Sequence, residues 1–204
     1  MKLVWHGHSC FVAETADGSA AFDPYIDGMV PGLAPLSLTA DAVYCSHGHD
    51  DHNAADKVTL TGNTPRFRVE TVPCFHDDLH GLKRGRNTIH ILEAEGLRVA
   101  HLGDLGHRLS DRDLKKLGRI DALLIPTGGF FTIDPKTANA VANDIAPRVV
   151  IPMHYRLGGM GFPVIAELDD FLTLRNNVVR YDGNSLELTA DTPAQTAVLR
   201  YAHA

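Results

Sequence analysis

Three histidines and two aspartates fall within the six residues from His47 to His52 of the run VYCSHGHDDHN, directly after the short apolar segment DAVYC. Imidazoles at that density are costly to bury unpaired, and a solvated loop has no need of them. The chain must therefore carry them from a strand end to a place where other polar groups wait. Further candidates repeat the placement: His76 follows VETVPCF, Asp104 follows LRVAHLG and His154 follows RVVIPM. A fold in which several strands end on one edge satisfies all four conditions at once.

The rest of the pattern supplies such strands. Residues 2–5 and 9–15 read as strands, ADGS (16–19) as a hairpin turn, and AAFD as a strand stopped by Pro24. Residues 25–40 carry Gly and Pro throughout and read as a loop. Because Met29, Val30, Leu33, Leu36 and Leu38 make it apolar, a pocket lid and an oligomer contact are both open to it. RFRVETVPC and TIHILEAEGLRVAHLGD add three strands, with 76–87 as loop. From residue 110 onward helix and strand alternate. Ser110 caps a short helix that ends at Gly118, and Asp134 and Pro135 open a second. IDALLIP and RVVIPMH are strands, VIAELDDFLTL (164–174) a third helix, and the tail two or three short strands. Hairpins first, then alternation, predict layered α/β: two sheets face to face with helices outside.

The ligand arithmetic points to metal. On an extended segment His47 and His49 share a side, and a turn then sends Asp51 and His52 elsewhere, so one ion can take the first pair and a second ion the next. With His76, Asp104 and His154 the donors are five histidines and two aspartates, enough for two divalent ions sharing a carboxylate. Imidazole and carboxylate suit Zn2+, with Mn2+ and Fe open. His80 is the alternative to His76. A water shared by two ions loses its proton near neutral pH and attacks an electrophile.

Composition excludes some partners. The 204 residues are most simply one domain, 1–204, large enough for a core of its own. A net charge of −6 without a basic cluster gives no footprint for nucleic acid. Cys10, Cys45 and Cys74 are an odd number without CxxC spacing and lie in apolar runs, which predicts reduced thiols and a cytoplasmic protein. The start MKLVWHGHSC turns polar too early for a signal peptide, and no apolar run approaches the ~18 residues of a membrane span.

The run His47-x-His49-x-Asp51-His52 with His76, Asp104 and His154 resembles the metallo-β-lactamase superfamily. GHSCF (7–11), FDPYI (22–26), HLGDLGH (101–107), PTGGFFTID (126–134) and IPMHY (151–155) look like its compact metal-dependent hydrolases related to L-ascorbate-6-phosphate lactonase. The resemblance implies a four-layer αβ/βα sandwich. It implies His47, His49 and His76 on one ion, Asp51, His52 and His154 on the other, and Asp104 between them. Asp23 is implied to support a ligand histidine from behind.

Other residues are weighed against plainer roles. His8 and His107 are candidates behind the ligands or facing substrate. His90 and His101 read as core, and His6 and His203 are assigned no role. Arg84 and Arg86, from the basic stretch Lys83–Arg86, are candidates for an anionic group on a small-molecule substrate. Tyr155 is either an oxyanion donor or packing, and Gly128 and Gly129 serve close approach or a turn. The expected activity is hydrolysis of a lactone, ester or phosphodiester, such as a phosphorylated sugar lactone. A metal-bridged hydroxide is the nucleophile, and Asp51 orients it or takes its proton. A di-iron redox protein and a metal-dependent metabolite-binding protein are the alternatives.

Overall fold

The computed structural model describes residues 1–202. Its strands, in chain order, are β1 (Lys2–Trp5), β2 (Phe11–Thr15), β3 (Gly18–Phe22), β4 (Leu38–Ala40), β5 (Ala42–Tyr44), β6 (Val58–Leu60) and β7 (Arg68–Phe75). They continue as β8 (Arg86–Ala94), β9 (Leu97–His101), β10 (Ala122–Pro126), β11 (Val149–Met153), β12 (Val178–Arg180), β13 (Ser185–Glu187) and β14 (Gln195–Val198). The helices are α1 (Asp111–Leu117), α2 (Pro135–Ile145) and α3 (Leu168–Leu172).

One sheet has the order β13-β1-β2-β3-β5 and the other β12-β14-β11-β10-β9-β8-β7. The alternation of the first hairpin decides how they meet. Phe11 and Ala13 pair with Phe22 and Ala20 and join the inner core with Ile89, Ile91, Val99 and Leu123 of the facing sheet. Cys10, Val12 and Ala21 point the other way, into a smaller cluster with Tyr25, Val30, Leu36, Leu38 and Val58. The ring of Phe22 stacks on His101 across the interface at 5.5 Å.

Helices cover the second sheet. α2 lays Ala138, Val141 and Ala142 inward, and α1 and α3 flank it. Ser110 and Asp113 form a reciprocal cap on α1. The Asp134 carboxylate accepts from Thr137 N–H at 2.7 Å to start α2. Over the first sheet the fourth layer is irregular chain and a two-stranded parallel ladder of β4 and β6. Pro24, Gly28, Pro31, Gly32 and Pro35 forbid a helix there. Val30, Leu36 and Leu38 of this segment are buried, so it is a packed wall. The sequence pattern did not foresee β4 and β6. α3 is shorter than the stretch 164–174 because the backbone before it is committed elsewhere: Ala166 N–H donates to Gly128 O and Arg156 N–H to Ala166 O.

The topology fixes where chemistry can gather. β1, β3 and β5 run parallel to one another, as do β7, β9, β10 and β11. Their C-terminal ends share one edge of the sandwich, the edge on which the candidate ligands fall.

Candidate metal centre

Each donor leaves a strand end. β5 leads into His47, His49, Asp51 and His52; β7 delivers His76, β9 Asp104 and β11 His154. Asp104 is the hub. Its Oδ1 lies 3.1 Å from His52 Nε2, and its Oδ2 lies 3.2 Å from His76 Nε2, 3.3 Å from His154 Nε2 and 4.0 Å from His47 Nε2. The side chains form three overlapping groups, His47–His49–His76, His47–His52–Asp104 and His8–Asp51–His52–His154, with the donor atoms of each group within 4.8 Å of one another. All seven residues singled out by sequence therefore come together. His80 is not in these groups; its ring packs on Phe75 instead, centroids 5.5 Å apart.

A layer behind the donors fixes their orientation. Asp23 Oδ2 is 2.7 Å from His52 Nδ1, and its carboxylate also accepts from Ser46 N–H and Ser46 Oγ–H, each at 2.6 Å. Ser46 Oγ in turn lies 2.9 Å from His47 Nδ1. A carboxylate behind a ligand imidazole holds the tautomer that leaves Nε2 free to coordinate. Asn87 does the equivalent for the hub, accepting from Asp104 N–H at 3.0 Å and donating to Leu102 O at 2.9 Å. Neither Ser46 nor Asn87 was singled out in the sequence. Ser46 was findable as the short polar residue beside a ligand, whereas nothing local marks Asn87.

Close approach of the loops needs glycine at two places. A Cβ on Gly106 would lie 2.2–2.5 Å from the backbone of His76 and Asp77, and one on Gly128 would lie 2.2 Å from His154 O. His8, Asp23 and His154 adopt left-handed φ of 50°, 45° and 51°, at roughly 1–2 kcal/mol each. Strain of this kind collects where function requires a particular aim.

The electrostatics call for positive charge. Burial opposes a proton on His52, but the Asp104 and Asp23 carboxylates outweigh it and drive the pKa well above the ordinary histidine value. Burial raises Asp104 while His154 and His52 pull it down, and the net shift is well downward. Burial lifts Asp23, yet His101 and His52 bring it to about 2. Burial lowers His47 to about 3 and His8 to about 4, so these rings are neutral and able to coordinate. Buried His47 Nε2, His52 Nε2, His154 Nε2 and Asp104 Oδ1 have no hydrogen-bond partner. Unpaired buried polar atoms are costly, and a cation among them removes the cost. Imidazole and carboxylate together are a donor set for zinc or a similar divalent ion, so these residues fit resident metal.

The remaining expectations divide. His8 Nε2 donates to Asp51 Oδ2 at 3.2 Å and belongs to the donor groups themselves. A cavity of about 420 Å³ adjoins the donors, lined by His49, Asp51, His76 and Asp104 and by the apolar Met29, Phe131 and Phe162. Arg84 lines it as well. Arg86 does not: it opens β8 as an exposed residue opposite Phe75. Tyr155 is buried beside Trp5, ring centroids 5.7 Å apart, away from the cavity lining. It is packing rather than an oxyanion donor. His107 is likewise absent from that lining; its Nε2 accepts from Phe75 N–H and its Nδ1 meets Arg108 O, so it braces the end of β7. His90 and His101 are buried beside Phe22 between the sheets. His203 lies outside the described residues.

The chain is similar to known proteins over most of its length. A family profile described as "Beta-lactamase superfamily domain" matches residues 2–154. A crystal structure from Thermotoga maritima, described as a candidate Zn-dependent hydrolase of the metallo-β-lactamase superfamily, is 35% identical, covers 97% of both chains and superposes with a TM-score of 0.78. The chain belongs to the metallo-β-lactamase superfamily. Within it, the UPF0173 metal-dependent hydrolase of Bacillus licheniformis is 26% identical over 82% of this chain and 89% of its own length. The UPF0173 metal-dependent hydrolase of Carboxydothermus hydrogenoformans is 29% identical over 81% and 88%. The superfamily fold thus accounts for the shared strand-end edge. These relatives do not bear on the expected kinship with L-ascorbate-6-phosphate lactonase.

Proposed function

We propose that the chain is a metal-dependent hydrolase, one domain over residues 1–204, that cleaves a small lactone, ester or phosphodiester. His47, His49 and His76 would hold one divalent ion and Asp51, His52 and His154 the other, with the Asp104 carboxylate available to both. The observation that carries the reading is the convergence of seven donors in which four buried donor atoms lack a hydrogen-bond partner. Bound there, divalent ions supply Lewis acidity and neutralise the charge that develops when an acyl or phosphoryl centre is attacked. Zn2+ suits the donors best, and Mn2+ or Fe suits them too.

The protein's own groups do the rest. Asp51 lines the cavity. Burial raises its pKa, but the His8 hydrogen bond and the His52 ring prevail and keep it ionised. Ionised, it is equipped to orient an attacking water by accepting a hydrogen bond from it. His8, neutral, donates to Asp51 and fixes which oxygen faces the substrate. Asp23 holds His52 in the required tautomer. Phe131 and Phe162, edge to face at 5.6 Å, keep water from one side of the reacting centre. Among the described residues no helix is long and apolar enough to cross a membrane. The three cysteines are free thiols, which supports a reducing, cytoplasmic setting.

The test is metal content of the purified protein by inductively coupled plasma mass spectrometry, beside Asp104→Ala. Two equivalents of zinc or manganese are expected, falling below one in the variant, with turnover of a responsive ester reduced on the order of 1,000-fold. Two equivalents retained by Asp104→Ala would sink the shared-ligand assignment. Iron without hydrolysis would favour the redox alternative.

A further inference from the structure

The cavity has a floor of donors and walls of another character. Met29, Phe131 and Phe162 are apolar, and among the lining residues the one permanently charged cation is Arg84. Its guanidinium lies over the Phe131 ring, 5.6 Å from the centroid, a distance at which a cation is attracted to the ring face. Among the described residues no carboxylate pairs with it. By contrast, Arg98, Arg108, Arg148 and Arg156 each hold an acidic partner.

Arg84 is held in place by its own loop. Asp77, the residue after His76, is buried. Its Oδ1 accepts from Leu79 N–H and Gly81 N–H, each at 2.8 Å, and its Oδ2 from Lys83 N–H at 3.0 Å and Arg84 N–H at 2.7 Å. Four bonds from one carboxylate tie residues 77–84 to the end of β7, so the segment reaching the cavity is preorganised. An unpaired guanidinium fixed on a ring at the rim of a catalytic cavity is a seat for an anion.

The walls restrict which anion. A phosphate monoester carries close to two charges and calls for more than one cation. The other basic residues nearby, Lys83 and Arg108, line a separate hollow of about 330 Å³ that shares Arg84 and Phe131 with this one. Asp50 also lines the cavity and repels a second negative charge. Sugar hydroxyls would meet Met29, Phe131 and Phe162 with no hydrogen-bond partners, a desolvation penalty without return. An apolar body gains by burial on that same wall.

We infer that this site takes acyl compounds, esters or lactones, that carry a single carboxylate on an apolar body, with Arg84 seating the carboxylate while the acyl group lies over the donors. The inference rests on the hydrolase reading above and narrows it, setting aside the phosphorylated sugar expected from sequence. In the reaction the acyl carbon–oxygen bond breaks and water supplies hydroxyl to the acyl carbon and a proton to the leaving alcohol. The distal carboxylate is unchanged throughout.

Calorimetric titration of the metal-loaded protein with phenylbutyrate, phenylbutanol and a hexose phosphate tests the seat independently of turnover. Phenylbutyrate is expected to bind about tenfold tighter than either other probe. Arg84→Gln should erase that preference and Arg84→Lys keep part of it, all three proteins holding the same metal content. Tighter binding of the hexose phosphate, or an unchanged phenylbutyrate affinity in Arg84→Gln, would overturn the proposal; in the latter case the carboxylate sits on the ions. In parallel, aryl esters with and without a distal carboxylate are assayed for cleavage. A preserved Arg84-dependent binding preference with no ester cleaved by the fully loaded protein would uphold the seat and overturn the hydrolase reading instead.

Discussion

Along the floor of the cavity, the donor side chains leave the ends of β5, β7, β9 and β11, and Asp23, Ser46 and Asn87 brace them from behind. Along its walls, Met29, Arg84, Phe131 and Phe162 come from four loops and are partly exposed; the Asp77 carboxylate behind Arg84 holds its backbone N–H, not its guanidinium. Strand ends are fixed by ladders and core packing, so the floor can be held to fractions of an ångström. Loops differ more freely among related proteins. The contrast teaches that, on the proposed function, one edge of this sandwich separates reactivity from recognition: the floor would set what reaction is available and the walls what enters.

The contrast can be broken or sharpened experimentally. The largest effect is expected from Asp23→Asn, which never meets substrate yet frees His52 and Ser46 together. Metal affinity by chelator competition should fall about 10- to 100-fold, and an unchanged affinity would mean that the floor does not depend on its bracing. Next is Gly106→Ala, whose new Cβ must displace the His76–Asp77 backbone. Denaturant unfolding should register a loss of about 1–3 kcal/mol, with weaker metal binding through His76. Full stability would show that the two loops are not wedged together. Phe131→Ala belongs to the wall: the Michaelis constant for an apolar ester should rise about tenfold while metal content stays at the native level. A drop in metal content would erase the distinction between wall and floor.

The smallest effect concerns acid. The backbone N–H groups of Arg84, Gly81, Leu79 and Lys83 outweigh burial and bring Asp77 from the ordinary 3.8 to about 2. A carboxyl lowered on folding contributes stability that is fully present above its unfolded pKa and is lost as pH falls through the folded one. In the metal-free protein, amide protection of residues 79–84, measured against the unstructured-peptide rate at the same pH, should therefore fall between pH 4 and pH 2, a window set by those two values. Asp77→Asn should show fast exchange already at neutral pH. Protection independent of pH in the native chain would show that Asp77 does not hold the loop.

The sequence alone determined the elements whose causes are local. The Asp17-Gly18 turn marked the hairpin of β2 and β3, the caps Ser110 and Asp134 marked α1 and α2, and strand-end spacing marked the seven donors that the structure groups. It determined the layered α/β class as well, since alternating strand and helix leaves few other ways to bury both faces. Tertiary structure decided what depends on partners distant in the chain. β4 and β6 exist as a ladder because each finds the other across 17 intervening residues. Tyr155, Arg86 and His107 had side chains suited to the site, yet packing against Trp5, a place at the start of β8 and a brace on Phe75 took them out of it. Met29 entered the cavity wall from the apolar loop that the sequence left open as lid or oligomer contact, and Phe162 entered it with no sequence mark, because an apolar side chain in a loop looks the same whether it lines a pocket or not. The physical reason is common to all of these: donor chemistry is carried in the identity of a residue, whereas burial and facing belong to its neighbours.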